Sequence, residues 1–311
     1  MTEITIGVDI SKEALDACRF PDGESRHFDN NAKGHKALMR WIGSEATRVV
    51  YEPTGPYHRG FECRLSEAGL PLVKVNPRQA RRFAEATGKL AKTDRCDAAM
   101  LARMGAALAL TSRPLRSARL NELKDLHMAR AALIKDRTAA RNRAKTLTLA
   151  LLRRQNGERL KQIQRHLGDL DQTILALIKT DPDLVQRLDI LTSIPGVSHT
   201  TAIALIIDMP ELGTLEPPEA ASLAGLAPVA RQSGTWTGRA FTRGGRANVR
   251  QALYMPALVA MRFNPDLKAK YQALKAAGKP PKVAITALMR KLIILANALL
   301  KAQRKWAPKT P

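Results

Sequence analysis

The chain has 311 residues, of which 45% are hydrophobic, 25% charged and only 4% aromatic, and its formal net charge is +23 at pH 7. That composition is globular, with room for one to three domains, and it argues against an aromatic platform as the main means of binding. Three cysteines without CxxC spacing and six histidines without ligand spacing predict no disulfide framework and no zinc site.

Residues 3–10 read as a strand, followed by strands at Ala14–Phe20 and Ser25–Asp29 around the turn Pro21-Asp22-Gly23; the short connections favour an antiparallel meander. A helix is expected over about 32–43, a strand at Arg48–Tyr51, a helix after Pro53-Thr54-Gly55, a strand at Leu72–Val75 and a helix near 77–87. Thr93 is placed to N-cap a further helix running to about 109. Three strands, then alternating helix and strand, then a helix that bears acids, is the order of an RNase H-like fold.

Residues 114–180 are poor in Gly and Pro and rich in Leu, Ala, Arg and Lys. They predict one long helix broken near Asn156-Gly157 and a second over about 158–179, either a coiled coil on which a dimer is built or an intramolecular helical linker. Beyond residue 183, Ile194-Pro195-Gly196-Val197 before Thr200–Ile207 has the look of a helix-hairpin-helix, whose glycine turn approaches phosphate. A short helix at 220–226, an exposed loop over Arg231–Arg250 and helices near 248–262, 266–277 and 282–303 complete the reading. The fold class expected is α/β plus α: an RNase H-like domain at 1–112, a helical coiled-coil linker at 113–182 and a mostly helical domain at 183–311 with a helix-hairpin-helix-like segment.

The charge is unevenly placed. Residues 1–110 carry 17 Lys/Arg and 14 Asp/Glu, whereas the rest of the chain carries 34 and 14; from residue 220 onward there are 17 basic residues and one acid, Asp266. Such a field draws a polyanion and gains from counterion release. An anionic membrane is the weaker partner, since no basic amphipathic helix with exposed aromatics stands out. With no apolar run of bilayer length and no basic signal opening at Met1-Thr2-Glu3, the expectation is a cytoplasmic protein, nucleoid-associated when acting, with no membrane partner.

Against this basic background four acids are candidates for metal binding. Asp9 ends the apolar run Ile4–Val8, Glu52 ends Val49–Tyr51, and Asp94 and Asp97 lie three apart at a helix start. Carboxylates at strand ends and on one helical turn suit hard divalent cations that work on phosphate. Taken singly, Asp94 and Asp97 also read as first-turn acids favoured by the macrodipole, Glu52 as an exposed strand-end charge and Asp9 as an Asx turn.

The set Gly7-Val8-Asp9, Glu52-Pro53-Thr54-Gly55 and Lys92-Thr93-Asp94-Arg95-Cys96-Asp97 resembles the RuvC-like half of the DEDD transposases of insertion-sequence family one-ten, with its eleven-eleven subgroup and the Piv-type invertases. Leu223-Ala224-Gly225-Leu226-Ala227-Pro228, Gln232-Ser233-Gly234, and the run from Gly244-Gly245-Arg246 to Met255 are similar to that family's C-terminal transposase domain, and Lys282-Val283-Ala284 with Met289-Arg290-Lys291-Leu292 fits its closing helix. The resemblance implies a transposase or recombinase that cuts and rejoins DNA. Asp9, Glu52, Asp94 and Asp97 would hold Mg2+ (or Mn2+), and Ser233 would form a phosphoserine link in a composite site. It also implies donor and target DNA as substrates, a noncoding guide RNA (the bridge or seeker RNA) and a homo-oligomer, a dimer or tetramer.

A serine before glycine is ordinarily a turn, so the role of Ser233 rests on the resemblance. No histidine lies near it in sequence, which leaves a metal-bound hydroxide or one of the acids to activate it. Arg231, Arg239, Arg243, Arg246 and Arg250 surround it; they read either as phosphate clamps or as a solvated basic loop. Thr242 is a second hydroxyl in the same segment. Two alternatives stay open: a RuvC-like metal-dependent nuclease or Holliday-junction resolvase, which needs no Ser233, and a nucleic-acid-binding protein without catalysis.

Overall fold

The computed structural model describes residues 3–88, 94–112 and 117–308, with the side chains of residues 94 and 95 outside that description. The chain forms two compact units, Met1–Arg116 and Ser117–Pro311.

The first unit is built on a mixed sheet of five strands in the order β3-β2-β1-β4-β5. Strands β1 (Ile4–Ile10), β2 (Ala14–Phe20) and β3 (Ser25–Asp29) form the expected antiparallel meander. Strands β4 (Ala46–Tyr51) and β5 (Leu72–Lys74) add parallel to β1. Helices α1 (Ala32–Ile42), α2 (His58–Glu67), α3 (Pro77–Ala86) and α4 (Asp94–Ala107) cover its two faces. Alternation along the strands sends Ile6, Val8, Ile10 and Leu15 to one face, against Leu38 and Trp41 of α1 and Phe61 and Leu65 of α2. Val50 and Val73 go to the other, against Ala80 and Ala84 of α3 and Met100, Leu101 and Met104 of α4. Each large apolar side chain fully buried in this way, such as Ile6, Leu38, Phe61 or Leu101, contributes roughly 1.5–3 kcal/mol. Asn31 and Asn76 start α1 and α3 by accepting backbone N–H groups, and Pro77 follows at the first helical position, where its missing donor costs nothing.

The second unit opens with a helical hairpin, α5 (Ala118–Ala144) and α6 (Ala150–Lys179). Its helices are antiparallel: Arg119 reaches Asp181, Arg130 reaches Asp171, and Asn156 reaches Ala140. The break falls at 145–149, not at Asn156-Gly157 as expected, and α6 runs straight through that pair. Asn156 is buried and its Nδ2 donates to Ala140 O at 3.1 Å, so a residue that reads as a helix breaker is a tie between helices. Gly157 is tolerated in the helix interior at about 1 kcal/mol.

Helices α7 (Pro182–Thr192), α8 (His199–Asp208), α9 (Pro217–Leu223), α10 (Ala247–Phe263), α11 (Pro265–Ala276) and α12 (Pro281–Lys301) close around one core. Among the described helices α12 alone is long and apolar enough to cross a bilayer, although Arg290 and Lys291 interrupt it. Its apolar side chains, Ile285, Leu288, Leu292, Ile293 and Leu299, are the centre of this core. The turn between α7 and α8 exists, with Gly196 at φ +99°, but a Cβ there would stand 2.8 Å from Pro256 O. Packing on α10 therefore demands this glycine. The segment Arg231–Arg250, expected to be an exposed loop, is exposed over most of its length but is not a loop: it carries most of a two-stranded hairpin, β6 (Pro228–Ser233) and β7 (Trp236–Thr242), closed by the two-residue turn Gly234-Thr235, and then the start of α10. Trp236, Thr237, Phe241 and Thr242 in β7 are strand-favouring types, a signal that the density of Gly and Arg hides.

Candidate active site

Strands β1 and β4 are parallel neighbours, with Val8 opposite Tyr51. One residue further along each, Asp9 and Glu52 stand at the carboxyl ends of adjacent strands, both half-buried. Asp9 shares its face with Gly7 and Thr5, and Glu52 shares the face of Val50, which is the side that α4 covers.

The direction of α4 follows from two glycines. A Cβ on Gly105 would meet Val50 and Thr5 side chains at 2.4 and 2.9 Å; one on Gly7 would meet Ala98 O at 2.1 Å and Ala102 N at 2.3 Å. The helix therefore runs antiparallel to β1, its end over Thr5 and its start toward Asp9. One turn back from Ala98 covers about 5.4 Å, and two strand residues from Gly7 to Asp9 cover about 6.6 Å. The first turn, with Asp97 half-buried, thus reaches the end of the sheet where Asp9 and Glu52 sit. The backbone of Asp94 opens that turn; its side chain, like all of Thr93, lies outside the described residues. Arg48, buried under the far end of α4, donates to Gly105 O at 2.8 Å and pairs with Glu3, fixing the helix against β4.

Behind Glu52 the strand is anchored from the opposite face. The buried Tyr51 hydroxyl donates to Glu62, which also pairs with Lys74. Lys74 Nζ donates to His58 Nε2 at 3.2 Å. Burial first, then the Glu62 hydrogen bond and charge, push the Tyr51 phenol far up; burial and the Lys74 charge hold His58 below its usual range. The cluster keeps the residues before and after the turn 53–57 in place, and with them Glu52.

In the second unit Ser233 ends β6 at the tip of the hairpin, exposed and opposite Trp236. Arg231, Arg239 and Arg243 are exposed along the same hairpin and the loop after it.

A transposase family model for the DEDD proteins of IS110 matches residues 6–153, the segment that carries all four acids. A second, described as transposase of the IS116/IS110/IS902 family, matches residues 188–272, which includes Ser233. The chain belongs to the IS110 family of transposases. It is 28% identical over 98% of its length to the pilin gene-inverting protein of Moraxella bovis and to that of Moraxella lacunata, each covered over 98%. It is 34% identical to a 43.6 kDa protein of the insertion element IS110 of Streptomyces coelicolor over 42% of this chain and 32% of that one.

In this transposase the five arginines named from sequence divide into two groups. Arg246 makes two hydrogen bonds to Glu211, at 2.6 and 2.7 Å, and one to Asp208 O; Arg250 donates to Gly244 O at 2.9 Å. Both brace the base of the hairpin. Arg231 lies with its guanidinium 5.1 Å from the centre of the Phe241 ring.

Hard carboxylate oxygens at one end of one sheet face are the donor set a divalent cation of the Mg2+ class takes. Among the described residues no three His, Cys, Asp or Glu side chains already stand as a closed ligand group, and the set is described without the Asp94 carboxylate.

Two residues beside these groups escape a reading by motif. Asp16 pairs directly with Asp9 across β1 and β2, and its carboxylate binds His27 Nδ1 at 2.9 Å, which adds an acid and an imidazole to the same row. The turn after Ser11 and the alternation of β2 are the signal that finds it. The other is Trp236, on the same hairpin face as Ser233.

Proposed function

We propose that this IS110-family protein is a DNA recombinase that mobilises an insertion sequence, with a RuvC-like (RNase H fold) metal domain in its first unit and Ser233 as nucleophile. The observation that carries the reading is the meeting of Asp9, Glu52 and the start of α4 at one end of the sheet. The relatives named for inverting a pilin gene support it, since inversion requires DNA to be cut and rejoined.

In the proposed step Ser233 Oγ attacks phosphorus. The Oγ–P bond forms as one P–O bond to deoxyribose breaks; the Oγ proton passes to a carboxylate and the leaving oxygen takes a proton from water. Attack by the hydroxyl of the partner strand then rejoins DNA and restores the serine. Mg2+ (or Mn2+), when held by Asp9, Glu52, Asp94 and Asp97, supplies charge neutralisation at the phosphate and at the leaving oxygen. Arg231, Arg239 and Arg243 offer guanidinium forks to phosphate. Donor and target DNA are the substrates and a noncoding guide RNA their pairing partner. A dimer or tetramer is the working form, because two duplexes exchange strands. The basic excess beyond residue 110 favours such polyanions.

The test co-expresses the protein with its native flanking noncoding DNA, adds donor and target DNA with Mg2+, and looks on a denaturing gel for protein joined to DNA. An adduct in wild type, absent from Ser233→Ala and from Asp9→Asn, is the expected result. Cleavage without an adduct would replace this reading with a hydrolytic nuclease. An adduct undiminished in Ser233→Ala would remove that serine from the mechanism.

A further inference from the structure

The β6–β7 hairpin has almost nothing of its own to pack on: only Gly238 and Phe241 among its strand residues are better than exposed. Its register places Arg231 opposite Gly238 and Ser233 opposite Trp236. Directly opposed residues and residues two apart on one strand project from the same side. Arg231, Ser233, Trp236 and Gly238 therefore share one face.

Trp236 is 58% exposed, a large apolar surface left in water at a hairpin tip. The six-membered part of its indole lies over Gly238, where a Cβ would come within 2.3 Å of the ring. The absence of a side chain at Gly238 is thus what lets the ring fold back along the strand. Arg231, on the same face, extends over Phe241. The exposed face carries a guanidinium, a hydroxyl and an aromatic ring, in a segment with 17 basic residues and one acid after residue 220. A basic surface with an aromatic ring is chemistry that holds unpaired nucleic acid: the charge follows the backbone and the ring takes a base.

We propose that Trp236 is the stacking platform for one unpaired nucleobase of the DNA strand whose phosphate Ser233 attacks, with Arg231 on the backbone beside it. The role of the base in the reaction rests on the reading of Ser233 as nucleophile; the stacking itself needs no chemistry. Side chains paired across a ladder stand about 5 Å apart at Cβ, so a phosphate at Ser233 puts the nucleotide next to it within reach of the ring. A base drawn from a duplex loses its stacking, at a cost of a few kcal/mol, and the indole returns part of it. Trp236 is then a positioning residue that favours strands already opened for exchange.

The experiment titrates the full-length protein, without metal, with a short oligothymidylate, with the same oligomer carrying abasic sites, and with a duplex of equal length, following indole emission. Single-stranded DNA should quench emission saturably in wild type and in Ser233→Ala, and not in Trp236→Phe, where only Trp41 and Trp306 remain. The abasic oligomer should bind through its phosphates without quenching. Trp236→Ala should weaken binding of the oligothymidylate by about tenfold while binding of the abasic oligomer is unchanged, which a hairpin that had merely unfolded would not spare. Equal quenching by the abasic oligomer, equal quenching by the duplex, or quenching that persists in Trp236→Phe would each overturn the proposal. Because quenching is read in Ser233→Ala as well, failure of the platform and failure of the serine nucleophile are separate results.

Discussion

Gly7 and Ala102 are in backbone contact across the sheet–helix interface: a single Cβ on Gly7 would lie 2.3 Å from Ala102 N. That contact sets how closely α4 approaches β1, and so how far its first turn stands from Asp9.

Gly7→Ala is the sharpest test of this arrangement. Both colliding atoms at Ala98 and Ala102 are backbone, so the helix itself must move. The expected cost is at the upper end of overpacking, about 3 kcal/mol, with loss of metal-dependent cleavage even at temperatures where the protein stays folded. Melting curves and cleavage assays on one preparation check it; a variant that melts normally and cleaves normally would show that α4 does not depend on the glycine.

Arginines of the hairpin region should separate by assay. Arg246→Ala breaks the paired hydrogen bonds to Glu211. With both side chains about a third exposed, the loss should be about 1–2 kcal/mol of stability. Arg239→Ala and Arg243→Ala should leave melting unchanged and each lower the slope of log K against log salt by about 1 on duplex DNA. Unchanged melting for Arg246→Ala would argue that the Glu211 contact is not stabilising.

Acid should loosen the first unit. His35 is buried, with Arg64 donating to Nδ1 at 3.2 Å and Nε2–H donating to Asn30 Oδ1 at 2.8 Å, which holds it neutral. Burial, then Arg64, place its pKa below the ordinary 6.5. The unfolded chain therefore takes up a proton first. The stability this neutral histidine contributes is complete above pH 6.5 and falls as pH drops toward the folded value, by about 1.4 kcal/mol per unit of depression. His58 has the same sign. Thermal melts from pH 7.5 to 5 should show a falling midpoint, shallower in His35→Gln; a flat profile in wild type would contradict the assignment.

The tie at Asn156 predicts an asymmetry. Asn156→Ala removes the donor to Ala140 O and should cost about 1 kcal/mol. Asn156→Leu removes the same donor and the same unpartnered Oδ1 but refills the buried space that alanine leaves empty, and should be close to neutral. Urea denaturation of the two variants side by side measures the difference.

The sequence by itself determined what local pattern and charge can determine. The runs ending in Asp9 and Glu52 were legible, because a strand buried on both faces reads as a largely apolar stretch in which a carboxylate at the end stands out. The meander, α10, α11 and α12 followed from turn residues and period, and the segregation of charge needed only counting. What it left open depended on partners far along the chain. The antiparallel course of α4 over β1 is decided by Gly7 meeting Ala98 and Ala102 and by Gly105 meeting Thr5 and Val50, residues far apart in sequence. Asn156 reads as a helix breaker until Ala140 is beside it. The face shared by Arg231, Ser233 and Trp236 exists only because β6 pairs with β7 in one register. Local propensity is set by a residue and its neighbours in sequence, whereas these features are set by which backbones can approach one another, and that is settled only when the elements pack.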